Sequence, residues 1–168
     1  MKNKILILVI SFLLLACVME VKYTLSDPKD AVILNEFQGN FMSEIDSAEV
    51  EIKLQESKKM YDLYFKNDKD SIVEHHKAFL SLINDIYFLN FSTINQLKSD
   101  KGKELYQFYK VYNIDKQNIK LLPVSDSLFK DKEFQSEKEF RDYFKSNLDN
   151  TALFKNEKEN LIQLKKID

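Results

Sequence analysis

Ala48-Glu49-Val50-Glu51-Ile52-Lys53-Leu54-Gln55 carries an apolar side chain at every even position and a polar one at every odd position. Successive side chains of a strand point to opposite faces, so this period of two describes a strand with one face on a core and one in water. The next stretch, Met60-Tyr61-Asp62-Leu63-Tyr64-Phe65, resumes the pattern with Tyr61, Leu63 and Phe65 on one side. The connection from Gln55 to Lys59 has the length of a hairpin loop. A sheet built from hairpins is therefore the first expectation.

Downstream, Asn67-Asp68-Lys69-Asp70-Ser71 reads as a turn, with Ile72 to His76 as a strand or a short irregular piece. The apolar run KAFLSLINDIYFLNF is divided by Asn84-Asp85. Both halves are rich in β-branched and aromatic residues, so two strands across an Asn-Asp turn fit better than one buried helix. Their near-continuous hydrophobicity suits the centre of a sheet covered on both faces. After a polar loop from Ser92 to Lys103, Leu105 to Tyr112 and Ile119 to Val124 form a second hairpin about Asp115-Lys116-Gln117-Asn118, with Pro123 at an edge or strand end.

The C-terminal part changes period. Ser136-Glu137-Lys138-Glu139 is a capping box. Phe140, Tyr143, Phe144 and Leu148 then fall on one face of an amphipathic helix from about Glu137 to Leu148. Ser125 or Asp126 starts a shorter turn carrying Leu128 and Phe129. Leu153-Phe154 and Leu161 to Ile167 read as a closing hairpin with residues 156–160 at its tip. Upstream, Asp27-Pro28 reads as N-cap and first position of a short helix through Phe37, stopping near Gly39, with a strand at Asn40 to Ser43. The expected fold is α+β: a mostly antiparallel curved sheet or open barrel of six to eight strands, with one amphipathic C-terminal helix and a short N-terminal helix. With only two glycines in the chain, a tightly wound barrel with many two-residue Gly turns is disfavoured, and turns fall to Asn and Asp.

The N-terminus sets the location. Lys2 and Lys4 precede an apolar run from Ile5 to Leu15 broken only by Ser11, and Ala16 is a small residue at a cleavage point. That is a secretory signal peptide, too short for a comfortable membrane span of roughly 20 apolar residues. Leu14-Leu15-Ala16-Cys17 resembles the bacterial lipobox, which implies cleavage between Ala16 and Cys17 and diacylglycerol transfer to the Cys17 thiol. Cys17 is the only cysteine, so no internal disulfide competes for it. The expected organisation is a signal peptide over 1–16, a lipidated cysteine and tether over 17–26, and a single β-rich domain over 27–168. Nine extended residues from Val18 to Ser26 would span on the order of 30 Å and lift the domain clear of the headgroups. Val18 after the cysteine, where aspartate would retain a protein at the inner membrane, implies by resemblance to enteric lipoproteins an outer-membrane location where the cell has one.

Cleavage leaves about 152 residues, enough for one core, and removing Lys2 and Lys4 takes the net charge from −2 to about −4. Acids and bases are interspersed, which gives nucleic acid no basic patch to bind. A chemical site is harder to find. His75 and His76 are adjacent and face opposite ways in a strand, so they do not jointly ligate an ion, and Glu74 with His76 supplies only two ligands. Asn67, Asp68 and Asp70 lack the glycine and the twelfth-position acid of a calcium loop. Asn90-Phe91-Ser92 matches a glycosylation sequon without meaning in a bacterial lipoprotein. Neither a cofactor nor a metal is called for, and the expectation is no enzyme.

The thirteen Phe and eight Tyr, with no Trp, offer the remaining candidates. Tyr61, Tyr64, Tyr106, Tyr109 and Tyr112 lie in expected strands and could anchor a partner, although alternation keeps them from sharing one surface. The element order, with hairpins FLSLINDIYFLNF and LYQFYKVYNIDKQNIKLLPV before the helix SEKEFRDYFKSN, resembles small uncharacterised bacterial lipoproteins with a β-rich domain. That resemblance implies a fold and no reaction. The leading functional expectation is a membrane-anchored envelope lipoprotein that binds a protein partner or supports envelope assembly. A lipocalin-like carrier of a small apolar ligand comes second, and an enzyme third.

Overall fold

The computed structural model describes residues 20–45, 47–66, 72–93 and 104–167. Eight strands follow in order: β1 Gly39–Ser43, β2 Glu49–Gln55, β3 Met60–Lys66, β4 Ile72–Ile83, β5 Ile86–Thr93, β6 Leu105–Ile114, β7 Asn118–Pro123 and β8 Ile162–Ile167. Each pairs antiparallel with the next, and β8 pairs with β1, so the sheet is a closed barrel. Two short helices, α1 Glu137–Ser146 and α2 Glu157–Asn160, complete the regular elements. The expected open sheet is thus corrected to a closed one: closure leaves no row of unpaired backbone groups at an edge. Two of the described turns do this without glycine. Asn84 and Asp85 both adopt the left-handed region (φ 47° and 62°), the geometry of a two-residue hairpin turn. Lys59 (φ 51°) closes a 3-10 turn between β2 and β3. Gly39 is the exception, because its φ of 136° disfavours other residues and an added Cβ would meet the Lys166 side chain at 2.8 Å.

Alternation fills the barrel from within. Phe41, Val50 and Phe65 stand opposite one another on β1, β2 and β3, and the sequence continues through Ala78 and Phe91, Leu80 and Leu89, and Val111 and Leu121. Sixteen side chains of this inner cluster are buried, and Val32, Leu34, Leu54, Tyr87, Ile114 and Ile162 pack against it partly exposed. Eight strands make a barrel just wide enough for side chains to fill or for one small ligand. Here large side chains, among them Phe41, Tyr61, Phe65, Phe91 and Tyr109, project into it.

A second core lies outside the barrel. Phe88, Phe108 and Val124, from the outward faces of β5, β6 and the end of β7, are covered by Phe129, Phe140, Phe144, Leu148 and Leu153. This explains the double-sided hydrophobicity of β5. The helix α1 begins where the capping residues place it: the Ser136 hydroxyl accepts from the Glu139 N–H at 3.2 Å, while Glu139 reaches back to the N–H of Gln135 rather than Ser136. On the other side, β2, β3 and β4 turn Glu49, Glu51, Lys53, Asp62, Lys66 and Lys77 outward. An apolar interior and a charged exterior are the reverse of a barrel that spans a lipid bilayer. No helix among the described residues is long and apolar enough to cross a membrane.

Three local expectations are corrected. The short N-terminal helix is two 3-10 turns, Pro28–Asp30 and Asn35–Phe37, separated by an extended stretch in which Val32 bridges Leu80. Asp27 does cap the first turn, accepting from the Lys29 N–H. The stretch is not a longer helix because its apolar residues are spent closing the barrel: Phe37 packs edge-on against Tyr61 at 4.9 Å, and the Tyr61 hydroxyl bonds both the N–H and the carbonyl of Leu34. The closing hairpin does not form either. Phe154 bridges Val124, whereas β8 inserts between β7 and β1. Finally, the tether is docked on the barrel from Glu20 onward; residues 17–19 lie outside the described residues.

Candidate functional site

At the upper rim β1, β3, β5 and β7 finish and β2, β4, β6 and β8 begin; the lower rim is the other end. The N-terminal segment arrives at the upper rim. There β6 extends past the end of β7, and Val21 takes the vacant place, exchanging backbone hydrogen bonds with Tyr106 at 3.0 and 2.8 Å. The Glu20 carboxylate accepts from Gln107 Nε2 at 3.0 Å, and the Tyr109 hydroxyl donates to Gln107 Oε1 at 2.9 Å. Further along, Thr24 bonds Glu137 and Arg141 of α1, and Asn90 holds the Leu25 N–H. The segment is a strap across the second core.

The candidate tyrosines divide into inside and outside. Tyr61 and Tyr109 are buried in the barrel, the first at the lower end and the second near the upper rim. Tyr106 faces the second core beside Phe79. Tyr64 and Tyr112 face solvent, on different strands. Tyr112 donates to Glu157 at 3.1 Å, with Lys110 above its ring. The five therefore do not meet on one surface. Burial pushes the Tyr109 phenol above its ordinary value, with the Glu20 charge adding to the effect. Burial also raises Tyr61 and Tyr106, the latter helped by its hydrogen bond to Glu104.

That shift sets an expected pH response. An unfolded tyrosine ionises near pH 10 while folded Tyr109 keeps its proton, so its contribution is intact below about pH 10 and lost as pH rises above it. The slope for one such group is about 1.4 kcal/mol per pH unit. Tyr109→Phe should therefore flatten the loss of stability between about pH 10 and 12, measured by urea denaturation at several pH values. Equal slopes for the two proteins would refute this.

The best-organised polar group on the open side of the barrel is one that the alternation pattern did not single out. Asp62 faces outward on β3, yet its side chain is only 10% exposed. His75 Nε2 donates to Asp62 Oδ1 at 2.8 Å, and Gln55 Nε2 donates to Oδ2 at 2.7 Å. Tyr64 stacks on the His75 ring with centroids 4.6 Å apart and planes 9° from parallel. Lys53 lies 5.2 Å above the Tyr64 ring and pairs with Glu51, which also pairs with Lys66. The hydrogen bond from Lys53 holds the Glu51 carboxyl below its usual range. In the register, Lys53 and Lys77 flank Asp62 on either side. The sequence signal was present: an aspartate, two lysines and a histidine at matching outward positions of three consecutive strands.

The expected opposition of the two histidines is observed. His75 turns out toward Asp62, and His76 turns into the barrel mouth, where it bonds Glu74 and the Ser92 carbonyl and packs on Phe91. No group of three or more metal-ligating side chains occurs among the described residues. Asn67, Asp68 and Asp70, like Ala16 and Cys17, lie outside them. Asn90 is fully buried and its amide is engaged, donating to Ser81 and to the Phe79 carbonyl. Among the described residues, clefts open at the upper rim in two places. One, of about 410 Å³, lies between Val21–Tyr23 and residues 132–135. The other, of about 700 Å³, lies between Glu44, Ile45 and the α2 region. Both lie outside the packed interior.

No family model matches this chain, and neither a curated protein nor a solved structure matches it. The functional reading therefore rests on the geometry above.

Proposed function

We propose that this protein is a lipid-anchored lipoprotein of the bacterial envelope, acylated on Cys17, that works without catalysis by binding a protein partner on the open face of its barrel. The observation that supports the second half is the crowded interior: large buried side chains such as Phe41, Phe65, Phe91 and Tyr109 project into the barrel and favour a partner on its outside over an apolar ligand within. A carrier would need a cavity of roughly 300 Å³ or more lined by apolar groups. The platform of Gln55, Asp62, Tyr64 and His75 suits a partner, because its rings and carboxylate are already held by one another and lose little freedom on binding. Tyrosine combines apolar area with a polar tip and is a common anchor in interfaces.

Two measurements test the parts separately. Cys17→Ser should abolish labelling by an alkyne-bearing fatty acid and move the protein out of the membrane fraction; equal labelling of both proteins would refute the anchor. For the partner, a photoreactive residue in place of Tyr64 should give a discrete crosslinked species in intact cells, and one in place of Leu82 at the lower rim should not. The binding reading fails if position 64 yields no species while the purified native protein carries a stoichiometric apolar ligand by mass spectrometry.

A further inference from the structure

The strap shortens the link between the anchor and the domain. Val21 is paired to Tyr106, Tyr23 donates to the Phe134 carbonyl at 2.9 Å, Leu25 is held by Asn90, and Ser26 bonds Ser81 at 2.7 Å. Thr24 and Leu25 are 6% and 4% exposed. The chain is thus fixed to the barrel from Glu20 onward, and three residue steps separate Glu20 from Cys17. Three extended steps reach about 10 Å, a third of the span of a free tether from Cys17 to Ser26.

We infer that the acylated protein lies with its upper rim against the lipid, so that this rim is a membrane-contacting surface and the lower rim points away. The inference rests on the reading of Cys17 as acylated. An observation independent of the strap singles out the same rim. Five large apolar side chains are exposed among the described residues: Ile33, Ile45, Ile72, Leu82 and Tyr112. The two most exposed, Ile45 at 62% and Ile72 at 56%, both stand at the upper rim, in the β1–β2 turn and at the start of β4. Leu82 lies at the end of β4, on the lower rim. An isoleucine in water gains free energy by entering an apolar phase, and side chains of this kind seat a surface protein at the boundary of headgroups and acyl chains. The anchor supplies affinity, and the short link and the two isoleucines supply orientation. The partner face on β2, β3 and β4 then stands beside the bilayer, open from the side.

The test uses the full chain, purified with its anchor and reconstituted into phosphatidylethanolamine and phosphatidylglycerol vesicles. Because the Cys17 sulfur is acylated, Ile45→Cys, Ile72→Cys and Leu82→Cys each offer one thiol for an environment-sensitive fluorophore. A nitroxide phospholipid should quench the probes at 45 and 72 at least threefold more than the probe at 82. Flotation with vesicles and the acyl mass on Cys17 report the anchor. A protein that floats but is quenched equally at both rims, or more at 82, overturns the orientation and leaves the anchor standing. A protein that neither floats nor gains the mass overturns both. Hydrogen exchange on the unsubstituted protein gives a second readout: vesicles should slow the amides of Ile45 and Ile72 several-fold more than that of Ile86, and no difference counts against the orientation.

Discussion

Phe140→Ala is expected to lower the stability of the whole domain by about 3–5 kcal/mol, a large share of the 5–15 kcal/mol typical of a domain. Phe140 is fully buried at the point where three separate segments meet outside the barrel. Its ring lies 5.8 Å from Tyr23 of the strap and 5.8 Å from Phe108 of β6. It also lies 6.0 Å from Phe129 and 5.3 Å from Phe134, both in the segment before α1. Truncation removes the transfer energy of the ring and leaves a cavity, and these rings, each held by others, cannot collapse into it. In urea, with a slope of about 2 kcal/mol per molar, the midpoint should fall by on the order of 2 M. A loss below about 1 kcal/mol would mean that the outer core is dispensable. A fall confined to α1, with barrel signals unmoved, would mean that the two cores unfold separately.

The inner and outer cores differ in how far they could be read from residues alone. Alternation over Ala48 to Gln55 places Val50 and Ile52 inside, and the same rule assigns Tyr61, Leu63 and Phe65 correctly. The period and capping signals likewise place Phe140 and Phe144 on the buried face of α1. Closure was not legible, because it pairs Asn40 with Ile167 across nearly the whole chain. Nothing local in Ile162 to Ile167 names β1 and β7 as its neighbours, and Lys166 even turns back toward the Phe41 ring, 5.9 Å away. The strap was illegible for a different reason. Glu20 to Ser26 shows no period because β6, β5, α1, the Phe134 carbonyl and Ser81 of β4 each hold a different residue. Such a segment is defined by its partners, not by its own pattern. The Asp62 group fell between the two cases: its residues alternate as expected, but only the cross-strand register brings Gln55 and His75 to one carboxylate.

Asn90→Leu should cost about 2–4 kcal/mol and, more specifically, release the strap. Asn90 sits on the outward face of β5 at 0% exposure, and its amide makes three bonds at once. Its Oδ1 accepts from the Leu25 N–H at 2.9 Å, and its Nδ2 donates to Ser81 Oγ at 2.8 Å and to the Phe79 carbonyl at 3.3 Å. Ser81 in turn bonds Ser26, so one side chain connects β4, β5 and the strap. Leucine has the same number of side-chain heavy atoms and the same branching, so no cavity opens, while its bulkier methyl groups add a packing cost to the polar one. What is left is a buried N–H on Leu25 that has lost its acceptor, and a buried donor or acceptor costs about 1–3 kcal/mol when unpaired. The strap can relieve that cost by lifting away, whereas the barrel cannot. Exchange of the Leu25 amide should therefore accelerate by at least tenfold, against a much smaller change at Leu89 inside the barrel. Equal acceleration at both positions would show that strap and barrel open as one unit. If the strap does lift, the link from Cys17 lengthens from about three residue steps toward nine, so under the proposed anchoring and orientation the same substitution should weaken the difference in quenching between the two rims.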